Sequence, residues 1–231
     1  MEIAELQGTK SGRAFLIGNG DSLNAAPFHK LKDEHTFAVN RIADIFKRTE
    51  WRPTYYVAVS SSVLDAKFVD WRDDVMSAIQ SAEITFMCNH LYDRMRDTLP
   101  LDINIVPVEC QHTAHYEPDA VSVDFWYNDL TKGVSKYGAS LFAAAQIAVW
   151  MGFTELIFIG MDGYHAGKPL NFSDTYRNDA QSPHMDDENR AQTRMLELIK
   201  EAGERDGFSV KLADFSNGYG VLEKVRLNDI I

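Results

Sequence analysis

The stretch Ala14-Phe15-Leu16-Ile17-Gly18-Asn19-Gly20-Asp21-Ser22-Leu23 decides which fold we predict for this chain. An apolar run typical of a buried strand ends abruptly in Gly18-Asn19-Gly20, as a parallel strand does when it delivers its chain to a nucleotide or phosphate. Because Gly18 and Gly20 lack a Cβ, their N–H groups can approach an anion, and the Asn19 amide can bind a phosphate, ribose or base edge. The spacing matches neither the dinucleotide fingerprint nor a P-loop, so a plain tight turn stays open at this point.

The composition is that of an ordinary globular protein with an acidic surface. The 231 residues suffice for one large α/β domain, with 45% hydrophobic and 25% charged residues. A formal net charge of -11 argues against nucleic-acid partners, which need a basic surface. The chain has no apolar run of ~20 residues and no signal-peptide pattern at its start. The widely spaced Cys88 and Cys110 fit free thiols better than a disulfide framework. We therefore expect a cytoplasmic protein.

The order of apolar runs predicts a mostly parallel sheet, because helical patterns follow several of them. The predicted strands are 14–18, 36–39, 55–59, 84–87, 103–106, 156–160 and 209–212. The predicted helices are 41–47, 70–81, 90–98, 139–151 and 186–205. Two stretches, 111–136 and 163–184, lack periodicity. Since long polar loops usually serve binding, we predict that 163–184 is a lid on a single domain spanning 1–231.

Polar residues follow several predicted strands, and the carboxyl ends of parallel strands share one edge. Asp162 can bind a ribose hydroxyl or a metal ion there, or it can cap a turn. Tyr164 can donate its hydroxyl to a phosphate oxygen, or it can be an amphipathic residue at the rim. Asn40 and Arg41 can bind a nucleotide, although Asn40 is equally suited to cap a short helix. Ser60 and the two serines after it can add hydroxyl contacts or form a turn.

Two predicted helix starts add further candidates. The free N–H groups after Gly138 can bind a phosphate with the Ser140 hydroxyl beside them, or the small residues can simply allow close packing. His184 precedes the last long helix and can act as a general base toward a substrate hydroxyl, although a lone histidine is more often structural. The acidic run 186–188 can bind Mg²⁺ or complement the helix dipole.

Six blocks of the sequence, taken in order, resemble a superfamily of nucleotide-binding enzymes. Gly18-Asn19-Gly20-Asp21-Ser22-Leu23 resembles the GNGPSL opening of the bacterial sialyltransferases that decorate lipooligosaccharide. It also resembles the wider family named after an archaeal 6-hydroxymethylpterin diphosphokinase. The other blocks are 37–42, 52–57, 138–153, 159–162 and 216–225, so the resemblance spans nearly the whole chain, from residue 12 to residue 230.

The resemblance implies a Rossmann-like α/β fold with a mostly parallel sheet that binds a nucleotide. In the sialyltransferases the nucleotide is CMP linked to sialic acid, held by residues that match Gly18, Asn19, Gly20, Asn40, Ala139 and Ser140. We add Ser22, Arg41, Ser60, Gly138 and Asp162 as nucleotide-binding candidates.

The resemblance also implies three catalytic candidates. Tyr164 matches a tyrosine that helps the phosphate leave, Tyr176 is the candidate for a second such tyrosine, and His184 occupies the place of the general base. The chain departs from the family pattern at Asp21, which replaces a proline, and at Ser60, which replaces an asparagine. The segment from His184 to the last strand is also longer. These departures leave the donor sugar open.

We therefore expect a glycosyltransferase that moves a sugar from a nucleotide-activated, CMP-linked donor to a glycan or glycolipid acceptor. No DxD-like motif follows a strand, so no metal cofactor is firmly implied. One alternative is an Mg²⁺-dependent pyrophosphokinase that uses ATP, with Asp162, Asp186 and Asp187 as carboxylates. Another is a nucleotide-binding module without catalysis. The sequence leaves peripheral membrane contact and homo-oligomer formation open.

Overall fold

An eight-stranded parallel sheet forms the centre of the fold. The computed structural model describes residues 1–60, 71–112, 121–163, 171–173, 185–216 and 218–231. The strands of this sheet are β1 (Arg13–Ile17), β2 (Thr36–Val39), β3 (Tyr55–Ala58), β4 (Ile84–Cys88), β5 (Ile105–Val108), β8 (Glu155–Ile159), β9 (Ser209–Ala213) and β10 (Glu223–Val225). Their order is β10-β9-β8-β1-β2-β3-β4-β5, and every neighbouring pair is parallel. Two further strands, β6 (Cys110–His112) and β7 (Val134–Lys136), form a small parallel sheet. The predicted α/β fold is confirmed.

The order of the strands reverses at β1, which lies in the middle of the sheet. The strands β2 to β5 extend to one side of it, and β8 to β10 extend to the other. Ile17, the last residue of β1, aligns with Ile159 of β8 and with Ala38 of β2. In open α/β sheets, ligands bind outside the carboxyl ends of the strands at such a switch point. The β1/β8 edge is therefore where this fold favours a ligand site.

The described residues form four α-helices that pack on the sheet: α1 (Trp71–Ser81), α2 (Asn89–Met95), α3 (Ser140–Met151) and α4 (Met185–Asp206). α3 is buried almost all round, as its apolar sequence predicts, and it ends at Gly152, whose φ is 106°. The fully buried Gln146 ties α3 to β7, because its amide donates to the Ser135 carbonyl at 2.9 Å and its Oε1 accepts from the Ser135 N–H at 3.2 Å.

Three predictions of secondary structure need correction. The predicted helix 41–47 is a 3-10 helix, Ile42–Lys47. The stretch 111–136, which we predicted to be without periodic structure, contains most of β6, all of β7 and two 3-10 helices. Strands of three residues are too short to show an alternating pattern. The edge strand β10 was missed because its exposed Glu223 and Lys224 interrupt any apolar run.

The predicted lid, 163–184, is described only at Gly163 and at residues 171–173. The rest of it lies outside the described residues, so the lid stays a prediction. Among the described parts of the chain, no helix combines the length and the apolar character needed to span a bilayer.

Candidate functional site

The turns that leave β1 and β8 are joined by hydrogen bonds at the switch point. The Gly18 N–H donates to the Ile159 carbonyl at 2.7 Å, and the Gly20 N–H donates to the Gly160 carbonyl at 2.9 Å. This corrects one expectation, because these two N–H groups were predicted to face an anion and instead bind the neighbouring strand. An anion site at this edge must therefore use other donors.

The close approach of the two turns explains why Gly18 and Gly20 are glycines. A Cβ on Gly18 would lie 2.4 Å from the Gly160 carbonyl oxygen, which is backbone and cannot rotate away. A Cβ on Gly20 would lie 2.2 Å from Asp162 Oδ2. Real Cβ atoms do not approach other heavy atoms this closely, so both positions require glycine in this fold.

Asp162 and Ser216 fasten the turn after β1 to the end of β8. Asp162 Oδ2 accepts the Ser22 N–H at 2.7 Å and so caps the 3-10 helix Asp21–Ala25. The Oγ of the fully buried Ser216 accepts the Gly160 N–H at 3.0 Å and lies 3.1 Å from Ser22 Oγ. The structure thus gives Asp162 the turn-capping role that the sequence left open, and its ribose or metal role stays a prediction. Ser216 was not among the predicted site residues. It lies 56 residues after Gly160, and no local sequence pattern indicates that the two are in contact.

In the turn after β1, the side chain of Asn19 has a hydrogen-bond acceptor that a ligand can use. The residue is 9% exposed, and its Nδ2 donates to the Val39 carbonyl at 3.0 Å. Its Oδ1 is buried and has no hydrogen-bond partner within the part of the chain that the structure describes. A buried acceptor without a donor costs about 1–3 kcal/mol. The described part of the predicted lid lies beside this residue, since the Phe172 N–H donates to the Asn19 carbonyl at 3.2 Å.

Asn40 and Ser140, predicted to face the same site, are in contact. Ser140 Oγ donates to Asn40 Oδ1 at 3.2 Å, which joins the end of β2 to the first turn of α3. Asn40 adopts a φ of 54°, a conformation that asparagine tolerates better than most residues, and its carbonyl accepts the Tyr56 hydroxyl at 2.6 Å. The turns after β1, β2 and β8 therefore meet at one edge, as the sequence predicted.

The start of α3 also contacts α4. Ala139 is the N-cap of α3 but has no side chain that can cap it. Gly138 has a φ of 69°, and a Cβ there would lie 3.0 Å from the Ala191 carbonyl oxygen and from Met195 Cβ. The close-packing interpretation of Gly138 therefore applies, and a phosphate at this helix start stays a prediction.

Arg41 and Ser60 follow β2 and β3 at the same edge. The buried Arg41 guanidinium pairs with Asp74 of α1 at 2.6 Å and lies over the Trp71 ring, 5.5 Å from its centroid. This contact gives Arg41 a structural role in holding α1. Ser60 comes two residues after β3 and is partly exposed. The nucleotide contacts of both residues stay predictions.

The three predicted catalytic residues, Tyr164, Tyr176 and His184, lie outside the described residues. In sequence, Tyr164 comes directly after the described Gly163, and His184 comes directly before α4. Within the described ranges, no three histidine, cysteine, aspartate or glutamate residues form a group suited to hold a metal ion.

Cys88, at the end of β4, and Cys110, at the start of β6, form a pair of thiols that was not predicted from the sequence. Both cysteines are free, with Cys88 buried and Cys110 partly buried. The interaction with the neighbouring Cys110 thiol, which can donate its S–H to a thiolate, lowers the pKa of Cys88 to about 7. The pKa of nearby Lys136 is lowered, because the effect of burial is larger than the opposing effect of the two cysteines. A separation of 22 residues gives no local signal of this contact.

Comparison with known proteins shows a shared fold at low sequence identity. The chain is similar to the sialyltransferase CstII from Campylobacter jejuni, solved with the substrate analogue cytidine-5'-monophosphate. The identity is 14%, with 91% of this chain and 86% of that chain covered and a TM-score of 0.50. It is also similar to the Maf glycosyltransferase from Magnetospirillum magneticum AMB-1, with 12% identity and a TM-score of 0.60. That match covers 97% of this chain and 35% of the other. No family model and no curated protein matches the sequence.

Proposed function

We propose that this chain is a glycosyltransferase of sialyltransferase type, which transfers a sugar from a CMP-linked donor to a hydroxyl of a glycan or glycolipid. The observation that carries the proposal is the buried Asn19 Oδ1 at the β1/β8 edge, which lacks a donor among the described residues. A ligand that donates a hydrogen bond to this oxygen removes an energetic cost. The amino group of cytosine and the hydroxyls of ribose are donors of this kind.

Two further findings support the choice of ligand and reaction. The contact between Asn40 and Ser140 provides a second polar wall at the same edge. The likeness to a sialyltransferase solved with CMP covers 91% of this chain, and a second protein of similar fold is also a glycosyltransferase. The pyrophosphokinase alternative has no comparable support.

In the proposed reaction, His184 removes the proton of the acceptor hydroxyl, and the acceptor oxygen attacks the anomeric carbon of the donor sugar. The bond from that carbon to the phosphate oxygen breaks, and CMP leaves with the bonding electrons. Tyr164, with Tyr176 as the second candidate, donates a hydrogen bond to the departing phosphate, which stabilises its negative charge. These roles rest on the family resemblance and on sequence position. The proposal includes a cytoplasmic location.

Titration calorimetry with CMP, and separately with ATP, tests the proposal with and without Mg²⁺. We expect CMP to bind without metal and to stabilise the chain by about 2.7 kcal/mol at 100 times its Kd. We expect Asn19→Ala to weaken CMP binding about tenfold, as the loss of one buried hydrogen bond predicts. The control is Asn104→Ala, because Asn104 is exposed and bonds the Glu83 carbonyl away from this edge.

Three outcomes would contradict the proposal. ATP binding that requires Mg²⁺, without CMP binding, favours the pyrophosphokinase. Equal CMP affinity in Asn19→Ala and in the wild type would show that Asn19 Oδ1 does not accept a hydrogen bond from the nucleotide, and the proposal would lose its main support. CMP binding without any hydrolysis or transfer of CMP-N-acetylneuraminic acid favours a module without catalysis.

A further inference from the structure

The segment 216–220, which follows β9, contacts three residues of the turn that leaves β8. Ser216 Oγ accepts the Gly160 N–H, and the Gly218 N–H donates to the Met161 carbonyl at 2.9 Å. The ring of Tyr219 covers Gly163, where a Cβ would lie 2.7 Å from Tyr219 Cε1. The turn that carries Asp162 is therefore held along its length by this one segment.

The hydroxyl of Tyr219 reaches from that turn to the first part of α4. It donates to Gln192 Oε1 at 2.6 Å, and the Asn189 carboxamide oxygen lies 3.2 Å from the same hydroxyl. Tyr219 is partly buried, so this contact is shielded on one side from water. One side chain thus joins Gly163 to two residues of α4.

Tyr219 keeps this position at a cost in backbone conformation. Its φ is 54°, and it stands between Gly218 and Gly220, whose φ values are 58° and 75°. A bulky residue in this region is strained, by an amount of the order of 1–3 kcal/mol. Strain of this kind persists when the surrounding contacts over-determine the residue, and here the ring and the hydroxyl both have partners.

We infer that Tyr219 is a positioning residue for the transferase reaction, since it ties the first half of α4 to the turn after β8. The inference rests on the proposed function. In sequence, Tyr164 follows Gly163, which the Tyr219 ring covers. His184 directly precedes α4, and the Tyr219 hydroxyl contacts α4 five and eight positions after it, at Asn189 and Gln192. On the other side, α4 packs on Gly138 at the start of α3. Gly163 and α4 border the segment that carries both candidates, and Tyr219 holds these two described borders in one arrangement. Because misplacement by about 1 Å can cost 100-fold in rate, we expect the loss of this contact to lower kcat.

The test compares Tyr219→Phe with the matched control Tyr127→Phe. Each variant loses one hydroxyl bonded to a glutamine oxygen, since Tyr127 Oη donates to Gln111 Oε1 at 3.0 Å. The readouts are the hydrolysis rate of CMP-N-acetylneuraminic acid at saturation, its KM, the Kd of CMP and the urea midpoint. We expect kcat to fall about tenfold in Tyr219→Phe, with KM and Kd within twofold of wild type. We expect Tyr127→Phe to retain the wild-type kcat.

A double-mutant cycle identifies the partner through which Tyr219 acts. Gln192→Leu should lower kcat by the same factor as Tyr219→Phe, and the double variant should be no slower than either. Additive losses would overturn the inference.

The remaining outcomes separate this inference from the proposed function. An unchanged kcat in Tyr219→Phe overturns the inference alone. A loss of CMP binding or a lower urea midpoint that accounts for the lost rate also overturns it, because the role is then structural. A wild-type chain that neither binds CMP nor hydrolyses the donor overturns the proposed function, and the inference falls with it.

Discussion

Replacing Gly18 by alanine should damage both the stability of the sheet and the proposed nucleotide site. Gly18 does not have a positive φ, so alanine can adopt its backbone conformation and the change tests steric contact alone. The new Cβ would lie 2.4 Å from the Gly160 carbonyl oxygen and 3.3 Å from Leu141 Cδ1. An ordinary contact needs about 3.4 Å, so the two turns must separate by roughly 1 Å.

The size of the effect follows from what this separation disturbs. Forcing an extra carbon into a well-packed contact costs about 1–3 kcal/mol. The same movement stretches the bonds from the Gly18 N–H to Ile159 and from the Gly20 N–H to Gly160, each worth about 1 kcal/mol. We therefore expect a loss of about 3 kcal/mol in the free energy of unfolding. For a chain of this length, that loss lowers Tm by about 6–12 °C.

Urea denaturation of Gly18→Ala and of the control Gly12→Ala measures this loss. A Cβ on Gly12 would meet nothing within 4 Å, but its φ is 78°, so the control carries conformational strain without a clash. That strain costs about 1–2 kcal/mol. Calorimetry should show weaker CMP binding in Gly18→Ala and unchanged binding in Gly12→Ala. If Gly18→Ala is as stable as the wild type, the Gly160 carbonyl does not lie against this turn and the description of the site is wrong.

Two further predictions concern groups at the same edge of the sheet. Asp162→Ala should lower the free energy of unfolding by about 1 kcal/mol because the Ser22 N–H loses its acceptor, while Asp162→Asn should lose less than half of that. Equal losses in the two variants under urea would contradict the capping role. For the thiol pair, thiolate absorbance at 240 nm should titrate with a midpoint near the Cys88 pKa of about 7. In Cys110→Ala the midpoint should rise, because the thiol that does most to lower the pKa of Cys88 is gone. An unchanged midpoint would mean that Cys110 does not act on Cys88.

The sequence predicted the central strands well because burial on both faces leaves continuous apolar runs. β2 was predicted with its observed bounds, and β1 and β8 within one residue. β5 was placed two residues too early. It contains Pro107, which a strand accepts when it lies at the edge of a sheet, as β5 does. Whether a strand lies at the edge or in the centre of a sheet is set by the tertiary structure. The local sequence pattern of β5 therefore could not show that it is an edge strand.

The sequence predicted that several candidate residues lie at one edge of the sheet, but it did not predict their hydrogen bonds. The rule that parallel strands share a carboxyl edge grouped Asn19, Asn40 and Asp162 at the edge where the structure places them, while Ser140 was predicted from the start of a helix. It did not predict that the glycine N–H groups bind β8. That pairing depends on contact between two turns about 140 residues apart, and a single sequence does not encode such contacts locally.

The turn at the switch point is assembled from both ends of the chain, which bears on how the protein is made. About 200 residues separate the end of β1 from Ser216, whose side chain binds Gly160. At synthesis rates of about 5–20 residues per second, β1 waits roughly 10–40 s for that partner. During this interval the central strand of the sheet lacks its neighbour β8 for most of the time, and its apolar surface is available to chaperones or to aggregation. The proposed nucleotide site lies beside the β8 turn that Ser216 holds, so its final geometry forms only when nearly all of the chain has been made.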